Sequence, residues 1–220
     1  MKQLVLSLIP TPTPTFNNFV VGPNQEALAT LKQLSLPNTN IGGHFQGICP
    51  KVVYFWGVSG SGKSHLLSAL AGSLAIAVHD VVPAMVIVDN VERLDDATQI
   101  KLFNAINERA VMPASCVVVA GNAAPRDLRL RPELTSRLGS HMVYHLHPLT
   151  DADKAGALNA HAAARGFTLR DEVANYLLRH SRRDMASLMA MLDALDQYSL
   201  ETGREITLPL LKQMSQPSLI

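Results

Sequence analysis

The chain is 220 residues long, with a formal net charge of +1 and an apolar share of 47%, enough for one sizeable core and a small appendage. Such an even charge balance gives no general attraction to nucleic acid or membrane surfaces, and no apolar run approaches the ~20 residues of a membrane span. The N-terminus lacks a signal-peptide layout, and Cys49 and Cys116 are few and far apart, which favours a reducing, cytoplasmic setting.

In chain order, residues 1–9 carry leucine at alternate positions (Leu4, Leu6, Leu8), followed by Pro10-Thr11-Pro12-Thr13-Pro14, an extended spacer that should hold this tail off the core. Asn24 is placed to cap a helix over 25–34, and the run from Pro37 to Gly43 breaks it. Short apolar runs at 52–56, 84–88, 116–120 and 142–146 read as strands, separated by helix-like stretches such as 96–110 and 132–138. Near-continuous apolar strands alternating with helices predict a parallel sheet covered on both faces, with the Cys116 thiol as a small buried hydrophobe. From Thr150 onward no strand pattern remains. Thr150-Asp151-Ala152-Asp153 opens a first helix, Gly166 ends it, a second spans about 171–180, and a third runs from Asp184 toward Glu201 with Leu188, Met191, Leu192 and Leu195 on one face. The expected organisation is a tail and spacer over 1–15, an α/β domain over 16–149 and an all-helical domain over 150–220.

The most informative segment is Gly57-Val58-Ser59-Gly60-Ser61-Gly62-Lys63-Ser64, which follows the first strand and opens a helix. Glycines let consecutive backbone N–H groups turn inward around an anion, and the helix N-terminus adds its dipole. This predicts a phosphate-binding loop in which Gly57, Gly60, Ser61 and Gly62 shape the cradle. Lys63 reaches the β/γ-phosphates and Ser64 sets its hydroxyl on Mg²⁺. Val86-Ile87-Val88-Asp89 ends a strand on a carboxylate, making Asp89 the expected Mg²⁺ partner of Ser64. The next residue is Asn90, which cannot accept a proton, so the chain's own hydrolysis of ATP should be weak or absent. Asn122, at the end of the third strand, either lies beside the terminal phosphate or forms a turn. The histidines, among them His65, His79, His141, His145 and His147, lack metal-ligand spacing, and no metal besides Mg²⁺ is expected.

With the loop, Val86-Ile87-Val88-Asp89-Asn90-Val91-Glu92, Gly121-Asn122, Ser136-Arg137-Leu138 and the helical tail in hand, the chain resembles AAA+ ATPases of the DnaA branch over nearly its whole length. Within that branch it is most similar to the Hda family of DnaA regulatory inactivators, through the Asp-Asn-hydrophobic-Glu run and Phe16-Asn17-Asn18-Phe19-Val20-Val21-Gly22. The resemblance implies a P-loop AAA+ sheet followed by a helical lid. It also implies bound ADP or ATP, Asn122 as the first phosphate sensor, and Arg137 as an arginine finger acting in trans. Read on physics alone, Arg137 is a solvated surface charge. Gln3-Leu4-Val5-Leu6-Ser7-Leu8 resembles the peptide by which such proteins dock on the bacterial DNA polymerase III sliding clamp (β subunit). In an extended tail Gln3 would donate directional hydrogen bonds, while Leu4, Leu6 and Leu8 fill a pocket. A near copy, Gln33-Leu34-Ser35-Leu36-Pro37, ends the first predicted helix, where its leucines should be buried and the match a coincidence; the alternative is a second docking site. The implied partners are DnaA and the clamp, with DNA reached only through the clamp; a homodimer stays open.

Two features depart from the family pattern. The interval between Lys63 and Asp89 is short, with room for at most the run Ala75-Ile76-Ala77-Val78 where relatives fit another strand and helix. Ala186 stands where the lid's second sensor arginine aligns best, with Arg183 as a substitute from the preceding turn. The reading that follows is a regulatory adaptor that acts on a partner's ATP. The alternatives are a helicase-loader-like ATPase, or a clamp-binding module with a degenerate nucleotide site.

Overall fold

A computed structural model describes residues 13–36, 50–76, 85–112, 115–180 and 184–215. The sequence Gln3 to Leu8 lies outside them, as do Pro37, Cys49, His79 and Arg183. Residues 14–148 and residues 149 onward form two compact units.

The first unit is built on β1 (Val52–Trp56), β2 (Met85–Val88), β3 (Cys116–Gly121) and β4 (Met142–His145), a sheet of order β2-β3-β1-β4 in which every pairing is parallel. Alternation along the strands splits the core in two. Val53, Phe55, Cys116, Val118 and Ala120 pack with α1 (Gln25–Ser35) and α2 (Lys63–Ile76), while Val52, Tyr54, Val117 and Val119 pack with α3 (Asp96–Val111) and α4 (Pro132–Gly139). The central strand β3 is buried throughout, as expected for a strand covered on both faces. The edges differ: β2 is half-buried along its length, and Met142, Val143 and His145 of β4 are exposed.

Three local expectations are corrected. Asn24 makes no side-chain cap on α1; its amide nitrogen donates to the His147 carbonyl (2.9 Å) and its oxygen accepts the His147 N–H (2.8 Å). The residue is 3% exposed, and those two backbone groups make a better partner for a buried amide than a helix end reachable by water. In the Gln33 to Pro37 run, Leu34 is buried, but Leu36 lies past the end of α1 and is 64% exposed. Ala75 and Ile76 belong to α2, where a run rich in Ala and Leu favours helix over strand; the rest of that run lies outside the described residues.

The second unit comprises α5 (Asp151–Ala164), α6 (Asp171–His180), α7 (Met185–Thr202) and α8 (Leu208–Ser215). Leu158, Leu177, Leu188, Leu192, Leu195 and Leu210 are fully enclosed at its centre, and Met191 is partly buried against them. Helix α8 goes beyond the three predicted helices: Gly203 ends α7 in a left-handed conformation (φ 65°), and Pro209 sits in the first turn of α8, where a missing N–H costs nothing. On the outside, Asp193 of α7 accepts from His161 of α5 (2.6 Å) and from Arg165, the residue that follows α5 (3.0 Å), and Arg165 also reaches Asp196 (3.0 Å).

Helix α5 starts with a full capping box: Thr150 Oγ1 accepts the Asp153 N–H (3.1 Å) and Asp153 accepts the Thr150 N–H (2.9 Å). The Thr150 side-chain and backbone hydrogen bonds hold the Asp153 carboxyl below its usual 3.8. A lowered folded value means the box contributes fully above the unfolded carboxylate range and is lost as pH falls through the depressed value. Thr150→Ala should lower the stability of the helical unit by about 1 kcal/mol, read as a fall in its denaturant midpoint at neutral pH that shrinks in acid.

Candidate functional site

Strand β1 delivers the chain into the glycine-rich turn at the C-terminal edge of the sheet, where open α/β sheets bind ligands. Gly60 and Gly62 sit at φ 81° and 98°, which an L side chain rarely adopts. The loop closes on itself through Ser61 N–H to the Val58 carbonyl (3.2 Å) and runs into α2 through Leu66 N–H to the Gly62 carbonyl (3.0 Å). Phe19, from the strap that precedes α1, lies so close over Gly62 that a Cβ there would meet its ring at 2.7 Å. The strap is held by His65 Nε2 at 3.0 Å from the Thr15 carbonyl and by the ring contact between Phe19 and His65.

The site's charged groups converge. Lys63 is 9% exposed and donates to the carbonyls of Gly57 (2.7 Å) and Val58 (3.0 Å). Burial holds its ammonium below the usual lysine range, and the nearby Asp89 and Glu92 carboxylates offset part of that shift. Ser64 Oγ donates to Asp89 Oδ2 at 2.5 Å, and the other Asp89 oxygen accepts the Asn90 N–H (2.8 Å). Asn90 itself is left-handed (φ 52°) and turns the chain into a single 3-10 turn, Val91–Arg93, that buries Val91 under the sheet.

These residues fit a Mg²⁺-nucleotide. Ser61 Oγ is buried without a hydrogen-bond partner, and Lys63 is occupied only by loop carbonyls, which a phosphate would outcompete by charge. Ser64 and Asp89 already form the hydroxyl and carboxylate pair that a hard cation takes. Among the described residues no group of three or more His, Cys, Asp or Glu side chains could hold a metal.

Beyond β3, Asn122 is exposed, and its loop is held by Tyr54, a residue that no local pattern singles out. Tyr54 donates its hydroxyl to the Ala123 carbonyl (2.7 Å), and a Cβ on Gly121 would lie 2.2 Å from that hydroxyl. Burial, with Glu92 adding to it, pushes the phenol well above its ordinary range, so Tyr54 stays a neutral donor. One Glu92 carboxylate oxygen is likewise buried without a partner. Arg137 stands apart from this group, exposed in the last turn of α4, with no ion-pair partner for its guanidinium among the described residues. Ala186 is exposed in the first turn of α7. His145 stacks on Trp56 at 3.8 Å, so it serves as packing.

Residues 151–214 match the family model described as Hda, lid domain. Among solved structures, domain III of the Thermotoga maritima replication initiation protein DnaA is similar over 94% of this chain and 98% of its own, at 23% identity and a TM-score of 0.66. AMPPCP-bound DnaA from Aquifex aeolicus is similar over 86% of this chain and 67% of its own, at 19% identity and a TM-score of 0.66. The RuvB Holliday junction branch migration motor of Thermotoga maritima is similar over 93% and 71%, at 15% identity and a TM-score of 0.62.

Proposed function

From a DnaA-type AAA+ fold and a helical unit that matches the Hda lid, we propose that this chain is a regulatory adaptor of replication initiation. It holds an adenine nucleotide in its own loop, docks on the DNA polymerase III sliding clamp through Gln3, Leu4, Leu6 and Leu8, and presents Arg137 to ATP bound by DnaA. The observation that carries this reading is the contrast between the glycine-rich loop and Arg137. The P-loop has its cradle, its lysine and its Ser64–Asp89 pair, yet Asn90 occupies the position from which a second acid would take a proton from water. Arg137, by comparison, is exposed and uncommitted.

The bound nucleotide's phosphates would supply the negative charge that the Gly57 to Ser64 cradle is shaped to receive; the chain's part is to bind and orient it. Hydrolysis then belongs to the partner. A guanidinium placed beside another subunit's terminal phosphate stabilises charge as it develops, and its planar fork suits that task better than an ammonium. Conversion of DnaA to its ADP form would prevent a second initiation, and the clamp would confine this to DNA already being copied.

The test is ATP turnover by DnaA in the presence of clamp-loaded DNA, with the intact chain and with Gln3 and Leu4 both replaced by alanine. Stimulation that the tail change abolishes is expected. Stimulation indifferent to the tail would remove the clamp from the mechanism, and none from the intact chain would overturn the adaptor reading.

A further inference from the structure

Gln99 is a buried polar side chain that the nucleotide site does not use. It lies in the first turn of α3, 6% exposed, and its amide is engaged at both ends. Nε2 donates to the Leu94 carbonyl (3.0 Å) and Oε1 accepts the Arg131 N–H (3.0 Å). Arg131 is the residue on which α4 begins; its own side chain caps nothing, and Pro132 follows. Gln99 is therefore what holds the start of the helix that carries Arg137. Leu94 closes the turn after Asp89, through its N–H to the Val91 carbonyl (3.2 Å), while Arg93 N–H binds the Asn90 carbonyl (2.9 Å).

A continuous series of hydrogen bonds thus leaves the phosphate loop. Ser64 binds Asp89, Asp89 holds the Asn90 N–H, the turn Val91–Arg93 hangs from Asn90, Leu94 ends it, and Gln99 ties Leu94 to the start of α4. We infer that Gln99 is a positioning residue that couples occupancy of the chain's own nucleotide site to the setting of α4, and through it of Arg137. This rests on the reading that Arg137 acts on a partner's nucleotide.

The physical case lies in what each link can absorb. The Ser64 hydroxyl can keep donating to Asp89 while its lone pairs face a cation, so the cation's charge falls on the Asp89 carboxylate, whose other oxygen holds the Asn90 N–H. Asn90 is confined to the left-handed region, and Val91 is wedged beside Gly121 and Tyr54, so the turn moves as a rigid piece in a close-packed setting. Its far end is the Leu94 carbonyl. Gln99 has no slack there, because releasing either partner strands a buried polar group. The shift is handed on to Arg131.

Amide hydrogen exchange on the full chain, with and without MgADP, tests this without using partner hydrolysis. The reporters are Leu134 and Thr135, whose N–H groups both bind the Arg131 carbonyl. In the intact chain MgADP should change their exchange by at least about fivefold, the lower end of typical coupling between sites. Gln99→Met, which fills the space but bonds neither end, should abolish the nucleotide dependence while MgADP still binds. Gln99→Glu, measured well above the carboxylate range, accepts from Arg131 but cannot donate to Leu94. It should keep α4 as protected as in the intact chain and still lose the response. A capping role alone predicts that Gln99→Glu responds like the intact chain, which would overturn the inference, as would an undiminished response in Gln99→Met or none in the intact chain. If Arg137→Ala left DnaA turnover unchanged, the adaptor reading would fall while the exchange result stood.

Discussion

Replacing Arg137 with alanine is expected to lower the chain's stimulation of DnaA-bound ATP hydrolysis by about 10³-fold, the lower end of what an arginine supplied in trans contributes to phosphoryl transfer. The size of the effect follows from where the side chain is not needed. Arg137 is exposed on the last turn of α4, and the helix is anchored instead by Leu134 and Leu138, which are 1% and 0% exposed. Its contribution to folding is confined to a favourable interaction with the helix C-terminus, of about 0.3–1 kcal/mol. The variant should therefore fold, bind MgADP in its own loop and reach the clamp as before, so that the loss appears in turnover alone. Arg137→Lys should recover little, because an ammonium restores charge without the two-pronged geometry that grips phosphate oxygens. Full activity in Arg137→Ala would remove the finger from the mechanism.

What the sequence made legible divides along the range of the interactions involved. The glycine-rich loop is written in consecutive residues, so Gly57 to Ser64 could be read as one object, and the pairing of Asp89 with Ser64 followed from a strand that ends on a carboxylate. Central strands β1 and β3 announce themselves because both faces are buried. Strand β4 has the same apolar look but lies at the sheet edge, where Met142 and Val143 face outward; no local pattern separates an edge strand from a central one. The capping signal worked where the partner is three residues away, as for Thr150. It failed at Asn24, whose partner His147 is 123 positions along the chain. Tyr54 and Gln99 were invisible for the same reason, since their carbonyl and amide partners at Ala123 and Arg131 come close only after folding. Helix α8 was hidden by Pro209, which punctuates a sequence but is harmless in a first helical turn.

The other large effect concerns Gly57, whose role in the loop is packing, in contrast to the conformational role of Gly60. A Cβ on Gly57 would lie 2.3 Å from the Leu146 backbone oxygen and 2.8 Å from Ser61 Oγ. Leu146 is fully buried, and its N–H binds the Trp56 carbonyl at 2.7 Å. The obstructing oxygen is thus backbone fixed beside β1, which cannot swing aside as a side-chain tip can. Gly57→Ala must then prise β1 from the segment after β4 or distort the loop. We expect a cost of about 3 kcal/mol, at the upper end of overpacking, and a fall of roughly 6–12 °C in the melting temperature of the α/β unit, together with loss of MgADP binding. Gly60→Ala meets no atom within 4 Å but keeps φ 81°, so its penalty is purely conformational, about 1–2 kcal/mol, and asparagine there should relieve part of it. Asparagine at position 57 should relieve nothing. Gly72, inside α2 with open space around its Cα, supplies the control: Gly72→Ala should stabilise the unit by about 0.5–1 kcal/mol. Calorimetry of the five variants separates the explanations, because a Gly57→Ala protein that melts with the intact chain would show that the loop has room the packing says it lacks.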